Sequence, residues 1–530
     1  MPETKMKSVM QGALVLTLAS FVAKLLSAVY RVPFQNLVGD EGFYVYQQVY
    51  PLYGLAMTLA LSGLPQFLSK YVAEQQGVKA QQKAIQRLFP MVFLSGVALF
   101  ALIFLGASFI AKLMGDSALA PLIRVVAVTF LFVPILSFYR GNFQGNLLMT
   151  PTAVSQVWEQ LVRVAVILLA SFGFVRWGLS IYQTGTLAMF GAVCGGLVAL
   201  AILVVYQKRI NGRLLGLYPI EWRQAWHWPL FRRFLVEGGL VSIYSGLLIL
   251  FQLVDSFFVA NALQAGGLLP QVARVTKGVY DRGQPLVQLG LVVAGALSST
   301  FLPALTKYLL QKNEGLYLTT SKMYLRLTTS ISLAAAAGLA LLMPLINYAL
   351  FKDASGNLPL IIYVGAIFEM GMIQGYQSIA QSQNRFRIPL RAALLGLAVK
   401  FVATWPLTWA LGTVGASCST LLGLAVTLIY IAKQTTPTIN AFLTERRFLV
   451  KLLFCTFGLV VVVVGYDLFL LIWDPAVSRL TAFLFALLGV GVGVATFLKL
   501  ALMSKLFTIR EWLLLPFGKR ILTMKKRKKD

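Results

Sequence analysis

Histidine, cysteine and acid are what this chain has least of. One histidine, three cysteines and 18 acidic side chains serve 530 residues. The histidine, His227, sits among Trp222, Trp226 and Trp228, a stretch suited to a membrane interface, and a lone imidazole builds neither a proton relay nor a metal centre. Cys194, Cys418 and Cys455 fall in apolar runs without metal-ligand spacing, so no disulfide framework and no metal site are expected. A Gly-x-x-x-x-Gly-Lys-Ser/Thr loop is missing, and no polar segment is long enough for an ATPase domain. With no activated-nucleophile arrangement either, the chain is expected to be no enzyme and to carry no cofactor.

What is present is hydrocarbon. Mean hydropathy is +0.77 and 58% of residues are hydrophobic, outside the range of a soluble domain of this length. Uncharged runs such as 88–111, 177–207, 283–306, 327–351, 401–432 and 480–498 are each long enough to cross a bilayer, at about 20 residues per crossing. The expected fold is an all-α polytopic membrane protein with fourteen spans, near 9–34, 43–70, 86–111, 119–140, 152–175, 182–206, 233–260, 275–303, 320–349, 358–382, 388–410, 413–432, 448–471 and 479–502. Lys24 interrupts the first of these and no small-residue cleavage site follows, so it reads as a span rather than a leader.

The net charge of +28 follows the connections between spans. Lys70, Lys79, Lys83, Arg87 and Arg140, the stretches 208–233 and 307–326, Arg385, Arg387 and Arg391, and 433–451 alternate with short, base-poor connections around Asp40 and Glu41, Asp116, Gly266, Asp353 and Asp467. By the positive-inside rule the first set is cytoplasmic, which puts both termini of a multi-pass cell-membrane protein in the cytoplasm. The tail, with Lys525, Lys526, Arg527, Lys528 and Lys529, is expected to meet anionic lipid or cell-wall synthesis enzymes, and no nucleic acid.

An internal repeat runs at offsets of about 237–238. Ser69-Lys70-Tyr71 corresponds to Thr306-Lys307-Tyr308, Gln144 to Gln381, Pro151 to Pro389, and Arg163 to Lys400. Six spans per repeat in one orientation predict an N-lobe (1–210), a cytoplasmic amphipathic linker (211–232), a C-lobe (233–433), two further helices (448–502) and a basic tail (503–530). Parallel repeats of this kind suit a transporter whose halves rock about a central cavity.

Charges inside apolar runs carry the functional reading, because each costs about 3 kcal/mol or more at the centre of a bilayer. Lys24 and Arg31 are seven apart, on one helix face about 10 Å apart along the axis. Glu159 and Arg163 are four apart, which favours a pair along the helix and leaves Arg163 partly free for cargo. Lys277 and Asp281 have the same spacing, so Arg282 is expected to point elsewhere, as a cargo contact. Asp255 and Glu369 are candidates for energy coupling, and Lys400 is the expected partner of Asp255. Arginine suits phosphate because its planar fork donates paired hydrogen bonds. The tyrosines and glutamines Tyr44, Tyr46, Gln47, Gln48, Gln374, Gln377 and Gln381 suit either a sugar or polar helix packing.

Three blocks resemble a known family. Arg140-Gly141-Asn142-Phe143-Gln144-Gly145, Met149-Thr150-Pro151-Thr152-Ala153 and Ser155-Gln156-Val157-Trp158-Glu159-Gln160-Leu161-Val162-Arg163-Val164 are similar to the signature of the SpoVB/YtgP-like polysaccharide-biosynthesis exporters of Gram-positive bacteria, relatives of MurJ-type lipid II flippases in the MOP superfamily. Tyr30-Arg31-Val32-Pro33, Gly63-Leu64-Pro65 and Tyr280-Asp281-Arg282-Gly283-Gln284-Pro285 look alike too. The resemblance implies a MATE-like fold of two six-helix lobes plus two terminal helices. It also implies a lipid-linked oligosaccharide cargo, undecaprenyl-pyrophosphate-linked lipid II or another lipid-linked glycan, with a multidrug antiporter as a more distant reading. Cavity cations of the flippases map onto Lys24, Arg31 and Arg282, while the family's further arginine in the second helix has no counterpart, since 55–60 is uncharged. In some relatives a cation site draws on the seventh and eleventh helices. Lys400 occupies the eleventh here, so transport without a sodium requirement is expected.

Overall fold

The structure is a computed structural model, which describes residues 3–75, 77–211, 228–473 and 478–514. Most of the expected linker and of the basic tail therefore lies outside the described residues. Among them every regular element is a helix: α1 (Glu3–Val29), α2 (Arg31–Thr58), α3 (Leu64–Ala73), α4 (Val78–Leu105), α5 (Ala107–Leu113), α6 (Ala120–Gly145), α7 (Thr150–Trp177), α8 (Ile181–Asn211), α9 (Trp228–Ser245), α10 (Leu247–Ala265), α11 (Pro270–Asp281), α12 (Gly283–Leu310), α13 (Glu314–Leu341), α14 (Met343–Phe351), α15 (Asn357–Tyr363), α16 (Ala366–Ser382), α17 (Arg387–Leu411), α18 (Thr413–Lys433), α19 (Pro437–Asn440), α20 (Arg446–Trp473), α21 (Arg479–Met503) and α22 (Ile509–Leu514).

Thirteen stretches among the described residues are long and apolar enough to cross a membrane, where the sequence predicts fourteen. The difference falls at Val15–Ala73, a helical stretch of 59 residues that the sequence reads as two spans with a loop at 36–42. At about 20 residues per crossing 59 residues exceed one span, and the helical path is broken within that expected loop, at Gly39, whose φ of 73° and ψ of −179° suit a residue without Cβ. Further on, Pro51 removes a hydrogen-bond donor inside α2, and a π-turn spans Leu59–Gly63. This is a multi-pass membrane protein.

The chain forms two compact units. Unit 1 holds residues 1–285 and 393–423; unit 2 holds 286–392 and 424–530. Unit 1 is rich in buried polar side chains on α2, α7, α10, α11, α17 and α18. Unit 2 contains an apolar groove of 820 Å³, walled by α12, α13, α20 and α21 through small residues such as Gly290, Gly338, Gly489 and Gly493, with Phe507 and Trp512 also against it.

Candidate functional site

Unit 1 collects all the intramembrane charges singled out above except Glu369. They divide by whether a carboxylate answers each cation. Lys277 Nζ lies 2.6 Å from Asp281 on α11, as the four-residue spacing predicts, and both are fully buried. Lys400 Nζ lies 2.5 Å from Asp255, so that expected pair is present, joining α17 to α10. Asp255 also accepts a hydrogen bond from Tyr280 Oη at 3.1 Å.

Two expectations fail. Glu159 does not pair with Arg163; its carboxylate takes Arg140 Nη2 at 2.6 Å. Arg140, read from the charge pattern as cytoplasmic, is fully buried. Its Nη1 donates to the Ala60 carbonyl at 3.3 Å, a group in the π-turn, where the regular helical hydrogen-bond ladder is interrupted. Arg282 does not point away unpaired. Its Nη2 reaches Asp40 Oδ2 at 2.6 Å and its Nε reaches Oδ1 at 3.0 Å, the two-point geometry for which guanidinium is suited. Gln35 donates to the same Asp40 oxygen as Nε, at 2.8 Å. Next to this contact, Arg274 pairs with Glu41 at 3.0 Å, and the Gly278 backbone approaches that of Asp40 so closely that a Cβ would stand 2.1 Å from the Asp40 oxygen.

Arg31 and Arg163 are the exceptions. Both are buried, Arg31 completely, and among the described residues neither has a carboxylate within ion-pair distance. All three guanidinium nitrogens of Arg31 lack a hydrogen-bond partner, and its carbon sits 4.2 Å from the centre of the Tyr50 ring. Arg163 lies between Tyr30 (5.1 Å) and Tyr53 (4.8 Å). It donates to Gln160 Oε1 from Nη2 (2.6 Å) and Nε (3.1 Å) and to Ser27 Oγ (3.1 Å), and its Nη1 has no partner. Tyr46 completes the niche by a 2.8 Å contact between its hydroxyl and that of Tyr30. Ring faces attract each guanidinium by about 2 kcal/mol when water is excluded, yet they bring no negative charge. The niche therefore keeps two uncompensated cations with free donors.

Lys24 is exposed and carries no ion pair among the described residues. On α1 it shares its side with Ser20 and Ser27, while Leu18, Phe21, Leu25 and Val29 form the apolar exposed side. Ser20 bonds Gln156 and Ser27 bonds Arg163, so that polar side of α1 turns toward α7. Glu369 lies apart on α16 in unit 2, half-buried, with Oε2 unpartnered.

Sequence reasoning missed Asp40, Arg140 and the tyrosine niche. The niche left a signal: Tyr46, Tyr50 and Tyr53 at spacings of four and three form one stripe along α2. Of the glutamines, Gln48 is used in packing, donating to the Met114 and Ser256 carbonyls at 3.2 and 2.6 Å. Gln47 donates to Gln284 at 2.7 Å. Those two residues are 237 apart, the offset of the expected repeat.

The donor set around Asp255 does not fit a bound sodium ion, because the Lys400 ammonium already stands among those oxygens.

Comparison with known proteins agrees with this architecture. The family profile described as "Polysaccharide biosynthesis protein" matches residues 9–309. The uncharacterized membrane protein YabM of Bacillus subtilis is 34% identical over 98% of this chain and 97% of its own. The lipid II flippase MurJ of Bacillus subtilis is 26% identical over 87% of this chain and 89% of its own. A solved structure of a lipid II flippase MurJ in an inward closed conformation superposes with a TM-score of 0.68 at 14% identity, covering 93% of this chain and 99% of that one.

Proposed function

The chain belongs to the polysaccharide biosynthesis protein family, whose relatives here include a flippase, and we propose that it carries lipid II, an undecaprenyl-pyrophosphate-linked peptidoglycan precursor, from the inner to the outer leaflet by alternating access. The observation that carries the reading is the pair of buried guanidiniums, Arg31 and Arg163, with unmade hydrogen bonds and no acid partner. A pyrophosphate supplies the missing charge and the acceptor oxygens together. Lys24, on the side of α1 that turns toward α7, is the exposed cation that would meet the headgroup first, and it raises the local concentration of an anionic cargo.

Each element then has a task. Arg140–Glu159, Lys400–Asp255 and Arg282–Asp40 hold helices in register at no net charge, and Lys277–Asp281 is neutral within α11, so the niche stays the place where an anion is held. Asp40–Arg282 and Glu41–Arg274 fasten α2 to α11. With both termini cytoplasmic these clasps lie at the outer side, and release of cargo outward requires them to part. A pyrophosphate reaching Arg282 competes with Asp40 for the same fork, which couples headgroup arrival to opening. The apolar groove of unit 2 suits a polyprenyl tail. In this reading the repeat halves 1–210 and 233–433 are the rocking lobes.

Another lipid-linked glycan offers the same pyrophosphate and is the alternative cargo. A carrier of cationic drugs would need a niche of the opposite charge, and a mere scaffold would act through the tail. The test is growth of a host depleted of its only lipid II flippase. The chain should restore growth, deletion of 515–530 should leave rescue intact, and Arg31→Gln should abolish it with the protein still in the membrane. Rescue by Arg31→Gln equal to that by the parent contradicts the proposal; no rescue by the parent moves the cargo to another glycan.

A further inference from the structure

Lys400 is surrounded in a way that an ion pair alone does not require. Its Nζ has Asp255 Oδ1 at 2.5 Å, Thr420 Oγ1 at 2.8 Å, Ser419 Oγ at 3.0 Å and the Ala416 carbonyl oxygen at 3.4 Å. A carboxylate, two hydroxyls and a backbone carbonyl from α10 and α18 thus converge on one point, fully buried inside the membrane-spanning part of unit 1. We infer that this point is a monovalent-cation site which the chain fills with its own ammonium, so that Lys400 acts as a tethered cation and excludes a free one.

The hydroxyl orientation carries the argument. Ser419 Oγ and Thr420 Oγ1 each donate to the Ala416 carbonyl, at 2.8 and 3.1 Å. With their protons used there, both present lone pairs to Lys400, so the shell is all acceptors and selects a cation. Thr404 donates to the Lys400 carbonyl from one turn away, so its proton too is used within the helix backbone. On the far side Tyr280 Oη donates to Asp255 Oδ2, leaving Oδ1 to the ammonium. The three N–H donors go to Ser419 Oγ, Thr420 Oγ1 and the Ala416 carbonyl, and the carboxylate, in ion-pair contact, balances the charge. Such oxygen shells, built from side chains and helix-end carbonyls at the middle of the membrane, are how transporters hold coupling ions. An ammonium is close to a potassium ion in size, and removing it leaves a negatively charged oxygen shell that a free alkali cation can enter. This chain therefore keeps its charge at the site throughout the cycle, with no ion to exchange. The inference does not depend on the cargo.

Purified Lys400→Ala protein tests it. Its thermal unfolding is followed in sodium, potassium and choline chloride at equal ionic strength, together with retention of radioactive sodium. Sodium or potassium should raise its melting temperature over choline by about 2 °C or more, since a ligand that binds the folded state alone stabilises it. One sodium should be retained per chain, and Asp255→Asn combined with Lys400→Ala should lose both responses. The unsubstituted protein should be indifferent to the choice of cation. Three results overturn the inference: a sodium-specific shift in the unsubstituted protein, a Lys400→Ala protein as indifferent as the parent, or one stabilised by acid but by neither cation. If Lys400→Ala folds only when sodium or potassium is supplied, the inference stands. A fourth result that overturns it is failure of both Lys400→Ala and the more polar Lys400→Ser to fold in every salt, because a site that takes a free cation would be rescued by one.

Discussion

Around Glu159, Asp281, Asp255 and Asp40 each buried cation meets a carboxylate at 2.5–2.6 Å, whereas in the tyrosine niche Arg31 and Arg163 meet only rings, an amide and a hydroxyl. Both groups occupy the same unit and are equally buried, so burial does not distinguish them. The difference is neutrality. A buried pair roughly balances the cost of desolvating its two charges, and breaking it leaves one charge exposed to that cost in full. A buried cation kept without a partner is destabilising in the resting protein, and a membrane protein retains one where function needs it. In the proposed function the paired region is architecture, apart from the Arg282 clasp, and the unpaired region is where the cargo's charge is held.

The comparison is broken most forcefully at Glu159. Glu159→Gln strands Arg140 in the interior and should cost about 3–5 kcal/mol, read as a drop in melting temperature and yield. Replacing Arg140 and Glu159 together by Met and Leu should recover most of that loss.

Arg31→Met should behave in the opposite way. Removing an unpaired buried charge should leave stability unchanged or higher, while transport falls about 10- to 100-fold, the equivalent of the roughly 1.5–3 kcal/mol that a hydrogen bond to a charged group contributes. Reconstituted flipping assays beside thermal unfolding of the same preparation separate the two effects. A smaller effect is expected at Tyr50→Leu, which removes the ring under Arg31. About 1–2 kcal/mol of cation–π attraction is lost, and cargo affinity should fall without loss of the fold.

The spans, the helical class and two of the ion pairs were legible in the sequence. Lys277–Asp281 follows from spacing on one helix, and Asp255–Lys400 follows from their depth in the expected spans, with Lys400 at the repeat position of Arg163. Arg140–Glu159 and Asp40–Arg282 were not legible, because the charge pattern puts Arg140 and Asp40 in connections between spans, the second pair being 242 residues apart. The four-residue rule misled at Glu159 and Arg163 because it weighs only partners along one helix. Gln160, three residues away, accepts from Nε and Nη2 of Arg163 instead, leaving Nη1 without a partner, and the rings of Tyr30 and Tyr53 cover its faces. The loop expected at 36–42 is reduced to a break at Gly39, which lets the chain turn within one residue.

The smallest effect is expected at the half-exposed cluster of Glu445, Lys322 and Arg326 in unit 2. Burial acts to raise the Glu445 carboxyl, but Arg326 and Lys322 outweigh it and hold the group below the usual range. A carboxyl lowered in the folded state adds stability above its ordinary pKa and loses it as pH falls through the lowered value. Lys322→Ala should thus cost about 1 kcal/mol or less at neutral pH, and less still in acid, as measured by unfolding at a series of pH values. An effect rivalling that of Glu159→Gln would erase the distinction between buried and exposed pairs.

The most direct measurement is equilibrium binding of undecaprenyl pyrophosphate to the purified protein in nanodiscs, for the parent, Arg31→Gln, Arg163→Gln and the control Arg233→Gln, a partly exposed cation already paired with Glu74 and Glu237. If the unpaired guanidiniums hold the pyrophosphate, the two niche substitutions should each weaken binding about 10-fold or more, and Arg233→Gln should match the parent. Equal affinity in all four proteins would contradict it.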